Sequence, residues 1–228
     1  MPLVSIIVPV YNVEQKLDRC LKTLSDQTIK DIEVLLINDG STDNSGKICD
    51  QFSEKDSRFK TIHISNAGVS SARNLGIKNA NSKYIMFVDS DDEVDVTILE
   101  QMLDENKRND FDFIMCGYKR IIQVQDIVEK KQIIKAKKYS GDVKCFLENV
   151  KDYIEEPLLQ GPCWKLFRKS ILENRKILFP PNMSYGEDAY FVYEYLKYAN
   201  SVSVINEVLY NYYVYDNNTL FNKSQEDG

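Results

Sequence analysis

The densest chemistry in this chain lies at Asp89-Ser90-Asp91-Asp92-Glu93, where four acidic side chains fall among five positions. Carboxylates this crowded repel one another by roughly 1 kcal/mol per pair even under surface screening, so the cluster calls for a cation. Hard oxygen donors suit Mg²⁺ or Mn²⁺. The run Tyr84-Ile85-Met86-Phe87-Val88 stands directly before it, contains no Gly or Pro, and has the length of a buried strand. Two other readings compete with a metal site. Asp92 or Asp95 could cap a helix beginning at Val96-Thr97-Ile98-Leu99. A calcium loop of the EF-hand kind would use Asp89, Asp91, Glu93 and Glu100, but Val94 occupies the position where that loop turns on Gly, and a strand leads in where a helix should.

A second acidic pair, Glu187-Asp188, follows Tyr185-Gly186 and opens a predicted helix that runs to about Ala199. Acids in a first turn are well explained by the helix dipole, so the residues themselves leave capping and catalysis both open.

The elements that must position these groups follow from periodicity. Val4 to Val8 reads as a central strand ended by Pro9, with Val10-Tyr11-Asn12 in a loop. Val13 to Asp26 carries Leu17, Cys20, Leu21 and Leu24 at helical spacing. Ile32 to Ile37 is a second strand, ending at Asn38-Asp39-Gly40-Ser41-Thr42-Asp43, and a helix follows from about Ser45 to Glu54. Phe59 to Ile64 is a third strand, ending at Ser65-Asn66-Ala67-Gly68 before a helix over about Ser70 to Asn79. Strands alternating with helices predict an α/β fold with a mostly parallel sheet and right-handed crossovers. In each unit the polar and glycine-rich residues come directly after the strand. Parallel strands place all four loops at one end of the sheet, where open α/β sheets bind their ligands.

Beyond a helix at about Val96 to Arg108 the alternation breaks. Phe111 to Tyr118 is a strand, Lys119 to Tyr139 an excursion of short strands on the surface, Val143 to Val150 a short helix, and Glu155-Glu156-Pro157 a turn. Gly161 to Arg168 leads straight into a helix ending near Asn174. Val202 to Ile205 and Val208 to Tyr215 read as two more strands. The lysines Lys130, Lys131, Lys135, Lys137 and Lys138 are read as a solvated face.

Size and composition limit the options. With 228 residues, 43% of them apolar and 28% charged, the chain can bury one sizeable core. A net charge of −6 argues against nucleic acid as the main partner. No apolar run approaches the ~20 residues of a membrane span, and Met1-Pro2-Leu3-Val4 lacks the basic start of a secretory signal, so a cytoplasmic location is expected. Cys20, Cys49, Cys116, Cys145 and Cys163 are odd in number and never spaced as CxxC, which indicates neither a disulfide framework nor a zinc site. His63, the only histidine, sits in an apolar segment and is expected to pack or meet a local partner.

The motifs Val4-Ser5-Ile6-Ile7-Val8-Pro9-Val10-Tyr11-Asn12, Gln27-Thr28, Asn38 to Asp43, Asn66-Ala67-Gly68-Val69-Ser70-Ser71-Ala72-Arg73-Asn74-Leu75-Gly76 and Asp89-Ser90-Asp91-Asp92 occur in the order and spacing of a known family. With Cys163-Trp164-Lys165-Leu166-Phe167 and Gly186-Glu187-Asp188, they resemble the family-two inverting GT-A glycosyltransferases of bacterial capsular and surface polysaccharide synthesis. The resemblance implies a GT-A fold: a Rossmann-like, mostly parallel central sheet flanked by helices, with a smaller mixed acceptor-side half. Residues 1–110 would form the nucleotide-sugar-binding half, and 111–228 the acceptor and catalytic-base half of the same domain. Pro9, Tyr11 and Asp39 would line the uridine pocket, and Asn66, Gly68 and Arg73 the nucleotide side of the crevice, with the guanidinium near uracil or phosphate. Asp89 would hold the ribose, and Asp91, with Asp89, the Mn²⁺ or Mg²⁺ ion bridging the diphosphate. Ser90 and Asp92 would support them. Asp188 would be the general base, Glu187 the other candidate.

The implied partners are a UDP-sugar donor and a saccharide or lipid-linked acceptor. Homodimerisation and peripheral association with the inner face of the membrane stay open. Two features depart from the family pattern: Asn38 stands where relatives often carry Asp, and many relatives continue past the tyrosine-rich strands. A nucleotidyltransferase would share the acidic metal site, but usually shows a glycine-rich phosphate loop after its first strand, and Pro9-Val10-Tyr11-Asn12 has no glycine. A non-catalytic nucleotide-sugar-binding or scaffolding module is the alternative outside enzymes.

Overall fold

A computed structural model describes residues 1–124, 127–151 and 157–215. The first half alternates as its periodicity predicts: β1 (Val4–Val10), α1 (Glu14–Ser25), β2 (Ile32–Asp39), α2 (Ser45–Lys55), β3 (Phe59–Ile64), α3 (Val69–Asn79) and β4 (Tyr84–Phe87). Then come β5 (Glu93–Val94), α4 (Ile98–Asn109), β6 (Phe113–Val124), β7 (Ile127–Ile134), β8 (Tyr139–Asp142) and α5 (Val143–Glu148). A short 3₁₀ turn (Pro157–Leu159), β9 (Lys165–Arg168), α6 (Lys169–Arg175), α7 (Glu187–Leu196) and β10 (Ser201–Tyr215) complete the described chain.

One sheet runs β3-β2-β1-β4-β9-β6-β10-β5, with β7 on β6 and β8 on β10. Strands β1 to β4 are mutually parallel, β9 runs against both β4 and β6, and β10 is parallel to β6. Every residue of β1 and β2 is buried, as expected for strands covered on both faces. Helix α1 covers them with the stripe Leu17, Cys20, Leu21 and Leu24. Helix α3 packs tightly on β1 at Gly76, which has no side chain. A Cβ there would stand 2.3 Å from Ile7 Cγ2.

Several expectations are corrected. β1 does not end at Pro9 but runs through it, with Pro9 opposite Ile37. The carbonyls of Leu3 and Ile7 accept from Tyr84 and Val88, so alternate residues of β1 turn their backbone groups toward β4. Pairing with β4 stops at Ile7, so the missing N–H of Pro9 deprives no neighbour. The segment before α6 is not a simple lead-in, because Lys165–Arg168 forms β9 and fills the sheet between β4 and β6. β6 is longer than its sequence signal and carries β7 as a hairpin partner. The two predicted terminal strands are one strand, β10, whose pairing with β6 shifts register around Val204, Val208 and Tyr210. The turn expected at Glu155-Glu156-Pro157 lies largely outside the described residues. Among those described, no helix is long and apolar enough to cross a membrane.

Candidate active site

The loops after β1 and β2 are laced together. Asn12 Oδ1 accepts from Thr42 N at 2.8 Å, and Asn12 N donates to Ser41 Oγ at 3.2 Å. Asp43 receives the N–H groups of Glu14 and Ser45, and so joins the starts of α1 and α2. Asn38 spends its amide nitrogen on His63 Nδ1 at 2.8 Å, and His63 Nε2 meets Asp50 at 2.9 Å, so the histidine has a local structural partner at each ring nitrogen.

Asp39, 3% exposed, reaches across to the loop after β3. Its Oδ1 accepts from Ala67 N at 2.7 Å and its Oδ2 from Gly68 N at 2.9 Å. Asn66 and Gly68 are thereby set at the mouth of α3, while Tyr11 stands 51% exposed at the end of β1. Pro9 is buried in the strand beneath it.

The acidic loop after β4 is pinned by three other elements. From α3, Arg73 Nη2 donates to Asp89 Oδ1 at 2.8 Å. From α1, Arg19 Nη2 donates to the carbonyl of Asp91 at 2.8 Å, while its Nε pairs with Glu93. From β10, the Tyr210 hydroxyl donates to Asp92 Oδ2 at 2.6 Å and accepts from Asp89 N, and Tyr213 N donates to Asp92 Oδ1 at 2.8 Å. Asp92 is almost wholly buried, and burial, with Asp89 and Asp91 adding, pushes its carboxyl well above the usual range. Capping belongs to Asp95, whose Oδ1 accepts from Thr97 N and Oγ1. Asp91 differs from its neighbours: its carboxylate takes a backbone hydrogen bond from its own residue, with Lys16 and Arg19 as nearby charges. Burial, helped by Asp89, raises its pKa to about 6. Ser90 lies half-exposed between the two aspartates.

Asp188 arrives from the far end of the chain. Gly186, at φ 80, turns the backbone into α7 through a conformation that disfavours side chains, and Glu187 and Asp188 follow in the first turn. Asp188 Oδ1 receives Arg73 Nη1 at 2.5 Å. Burial raises the Asp188 pKa to about 6, with Arg73 opposing and Asp89 and Glu187 adding. Glu187 is half-exposed beside it. Beneath the turn, Phe179 and Phe191 stack at 3.9 Å, with Phe87 edge-on to both. Asn74 staples this segment to α3: its Nδ2 donates to Phe179 O, and its Oδ1 accepts from Phe179 N, each at 2.8 Å.

The turn before β9 lies alongside, where Cys163 bridges Phe87 just ahead of the acidic loop. Lys165, fully buried, aims its ammonium at the carbonyls of Leu158, Gly161 and Cys163, under the Trp164 ring. Burial lowers its pKa to about 7, yet three carbonyl acceptors match the three N–H groups of the charged form.

The structure thus gathers Asp89, Arg73 and Asp188 in one contact group and joins Asp39 to it through Gly68 and α3. Arg73 touches carboxylates with both terminal nitrogens. Sequence reading gave no role to Arg19, Asn74 or Tyr210. Asn74 stood inside a quoted motif, but nothing in a sequence announces a partner 105 residues away.

Among described residues no group of three or more His, Cys, Asp or Glu is arranged to enclose a metal. Two carboxylates, with a diphosphate and water completing the shell, is nevertheless how Mg²⁺ and Mn²⁺ are commonly held at phosphate sites. The Asp91 carboxylate fits that role.

An open sheet with this strand order and an acidic loop at its switch in direction defines a GT-A fold. Solved structures agree: S. aureus TarS 1-349 in complex with UDP-GlcNAc superposes with a TM-score of 0.74 at 22% identity, over 95% of this chain and 59% of that one. The mannosyltransferase PcManGT from Pyrobaculum calidifontis, in complex with GDP-Man and Mn²⁺, gives 0.64 at 15% identity, over 92% of this chain and 56% of that one. The glycosyl transferase family 2 profile matches residues 5–175, and the chain belongs to that family. The uncharacterized glycosyltransferase EpsJ of Bacillus subtilis (strain 168) is 34% identical over 218 residues, 93% of this chain and 61% of its own length. The cholesterol galactosyltransferase of Borreliella burgdorferi is 30% identical over 213 residues, 91% of this chain and 59% of its own length. The chain therefore spans less than two thirds of these relatives.

Proposed function

We propose that this chain carries a metal-dependent inverting glycosyltransferase activity, moving a sugar from a UDP-sugar donor to a hydroxyl of a saccharide or lipid-linked acceptor in surface-polysaccharide synthesis. The observation that carries the reading is Arg73, which meets both Asp89 of the acidic loop and Asp188 of α7, the latter 115 residues further along the chain than Arg73. That contact supports a common site for the leaving group and the attacking group. Residues 1–110 supply the donor side and residues from 111 onward the base. The complexes of TarS with UDP and UDP-GlcNAc support a uridine diphosphate donor, and the Mn²⁺ complex of PcManGT supports a divalent ion.

In this reading Pro9, Tyr11 and Asp39 border the uridine. Asp39 does so with its carboxylate already holding the 66–68 loop in place. Asp89 meets the ribose through the oxygen that Arg73 does not use. Asp91 would hold the divalent ion, which supplies charge neutralisation of the departing diphosphate. Asp188 takes the proton of the acceptor hydroxyl as its oxygen bonds to the anomeric carbon. The bond from that carbon to the diphosphate oxygen breaks with its electron pair on UDP, and the configuration inverts. Such a base contributes typically about 10²–10⁴-fold.

The test offers UDP-glucose, UDP-galactose and UDP-GlcNAc, with and without Mn²⁺, to the protein with oligosaccharide acceptors. UDP release is recorded, and the product's anomeric configuration is read by NMR. Mn²⁺-dependent release with inversion is expected. Binding without release from any donor would leave a binding module instead, and retention of configuration would remove Asp188 as base.

A further inference from the structure

Arg73 is 3% exposed, a cation buried between two carboxylates. The face of α3 that it shares is otherwise made of Ser70, Ala72, Gly76 and Ile77, small or apolar residues fitted against the sheet. Packing alone would be served by an apolar side chain, because a buried ion pair is weak evidence for stability. Its Nε is buried with no hydrogen-bond partner, a further cost that a residue chosen only for stability would avoid.

The geometry of the fork is informative. Its terminal nitrogens do not close a bidentate pair with one carboxylate, the arrangement that strengthens an arginine ion pair most. They divide instead, Nη1 to Asp188 Oδ1 and Nη2 to Asp89 Oδ1. Asp188 Oδ2 accepts nothing from the described residues. The guanidinium is itself fixed: Gly76, one turn on, holds α3 against Ile7, and the Phe179 ring lies 5.2 Å from the guanidinium carbon. Asn74, the next residue, binds both backbone groups of Phe179, so the same helix turn also holds the segment leading to α7.

We propose that Arg73 is a positioning residue for the transfer step: it holds Asp188 by Oδ1 at a fixed setting against the Asp89 loop and leaves Oδ2 to meet the acceptor hydroxyl. This rests on the reading of Asp188 as the base. It differs from a nucleotide-binding role for Arg73 in where the loss should fall on mutation. A residue acting through Asp188 affects turnover; one acting on uracil or phosphate affects donor KM.

The experiment is a double-mutant cycle on the whole chain with Arg73→Lys, Asp188→Asn and the pair. Each protein's melting temperature is checked first. UDP release is then measured with Mn²⁺ and whichever nucleotide sugar of the three is turned over, across donor concentrations. A lysine ammonium is a compact point charge on a flexible stem and lacks the planar fork that fixes the two carboxylates relative to each other. Arg73→Lys is expected to lower kcat on the order of 10²-fold with donor KM nearly unchanged, as misplacement of a reacting group does. In the Asp188→Asn background the same change should cost little more, since the group it positions no longer acts. Equal losses in both backgrounds, or a loss confined to donor KM, overturn the proposal while the assigned function stands. A native rate for Asp188→Asn alone, or no release by the native protein, removes the base assignment and this inference together. Should Arg73→Lys melt below the assay temperature, Arg73→Gln, which keeps an N–H donor without the charge, takes its place in the cycle.

Discussion

At the scale of the residue, burial makes otherwise similar aspartates different. In the proposed role of base Asp188 must be ionised, and burial raises its pKa to about 6. Below that pH, kcat/KM should fall about tenfold per pH unit and level off above it, as a pH–rate profile will record. The same shift has a stability consequence of opposite sense. The folded protein binds that proton more tightly than the unfolded chain, so the stabilisation it gives is lost as pH rises through about 6. If Asp91 holds the proposed ion, Asp91→Asn should abolish any rise in melting temperature that Mn²⁺ gives together with UDP. Tyr210→Phe tests support of the acidic loop. It leaves Asp92 Oδ2 and Asp89 N without their partner and should cost about 1–3 kcal/mol in urea unfolding while weakening the metal response.

At the scale of the element, α3 is the part that converts packing into site geometry. Gly76→Ala would drive a methyl into Ile7 and should destabilise by about 1–3 kcal/mol, with a larger loss of activity than of folded protein, because Arg73 and Asn74 ride on the displaced turn. Helix α3 and the elements before β5 were legible in the sequence because each buries a regular stripe or run: Leu17, Cys20, Leu21 and Leu24 in α1, the unbroken apolar faces of β1 and β2. β9 was not legible. Four residues with a lysine at their head, Lys165 to Arg168, read as a helix approach, and only the carbonyl cage around Lys165 makes its burial tolerable. β10 was read as two strands because Glu207 interrupts the apolar pattern, where the chain in fact bulges and continues.

At the scale of the whole molecule, the candidate site was legible as a set of loops but not as a set of contacts. Loop placement follows from strand direction, so Asp39, Asn66, Gly68 and Asp89 were expected at one end of the sheet from order alone. Which carboxylate meets which cation depends on helix rotation and on distant pairings such as β9 between β4 and β6, which no local pattern encodes. Arg73 shows the difference: its presence in the cleft followed from the sequence motif, its grip on Asp188 only from coordinates.

The acidic loop lies near the middle of the chain, yet the hydroxyl and amide that hold Asp92 come from Tyr210 and Tyr213. During synthesis Arg73 and Arg19 can meet Asp89 and Glu93 early, but the Asp92 carboxylate must wait for β10. A nascent chain halted before residue 210 would carry the whole acidic loop and still lack both partners of its buried carboxylate.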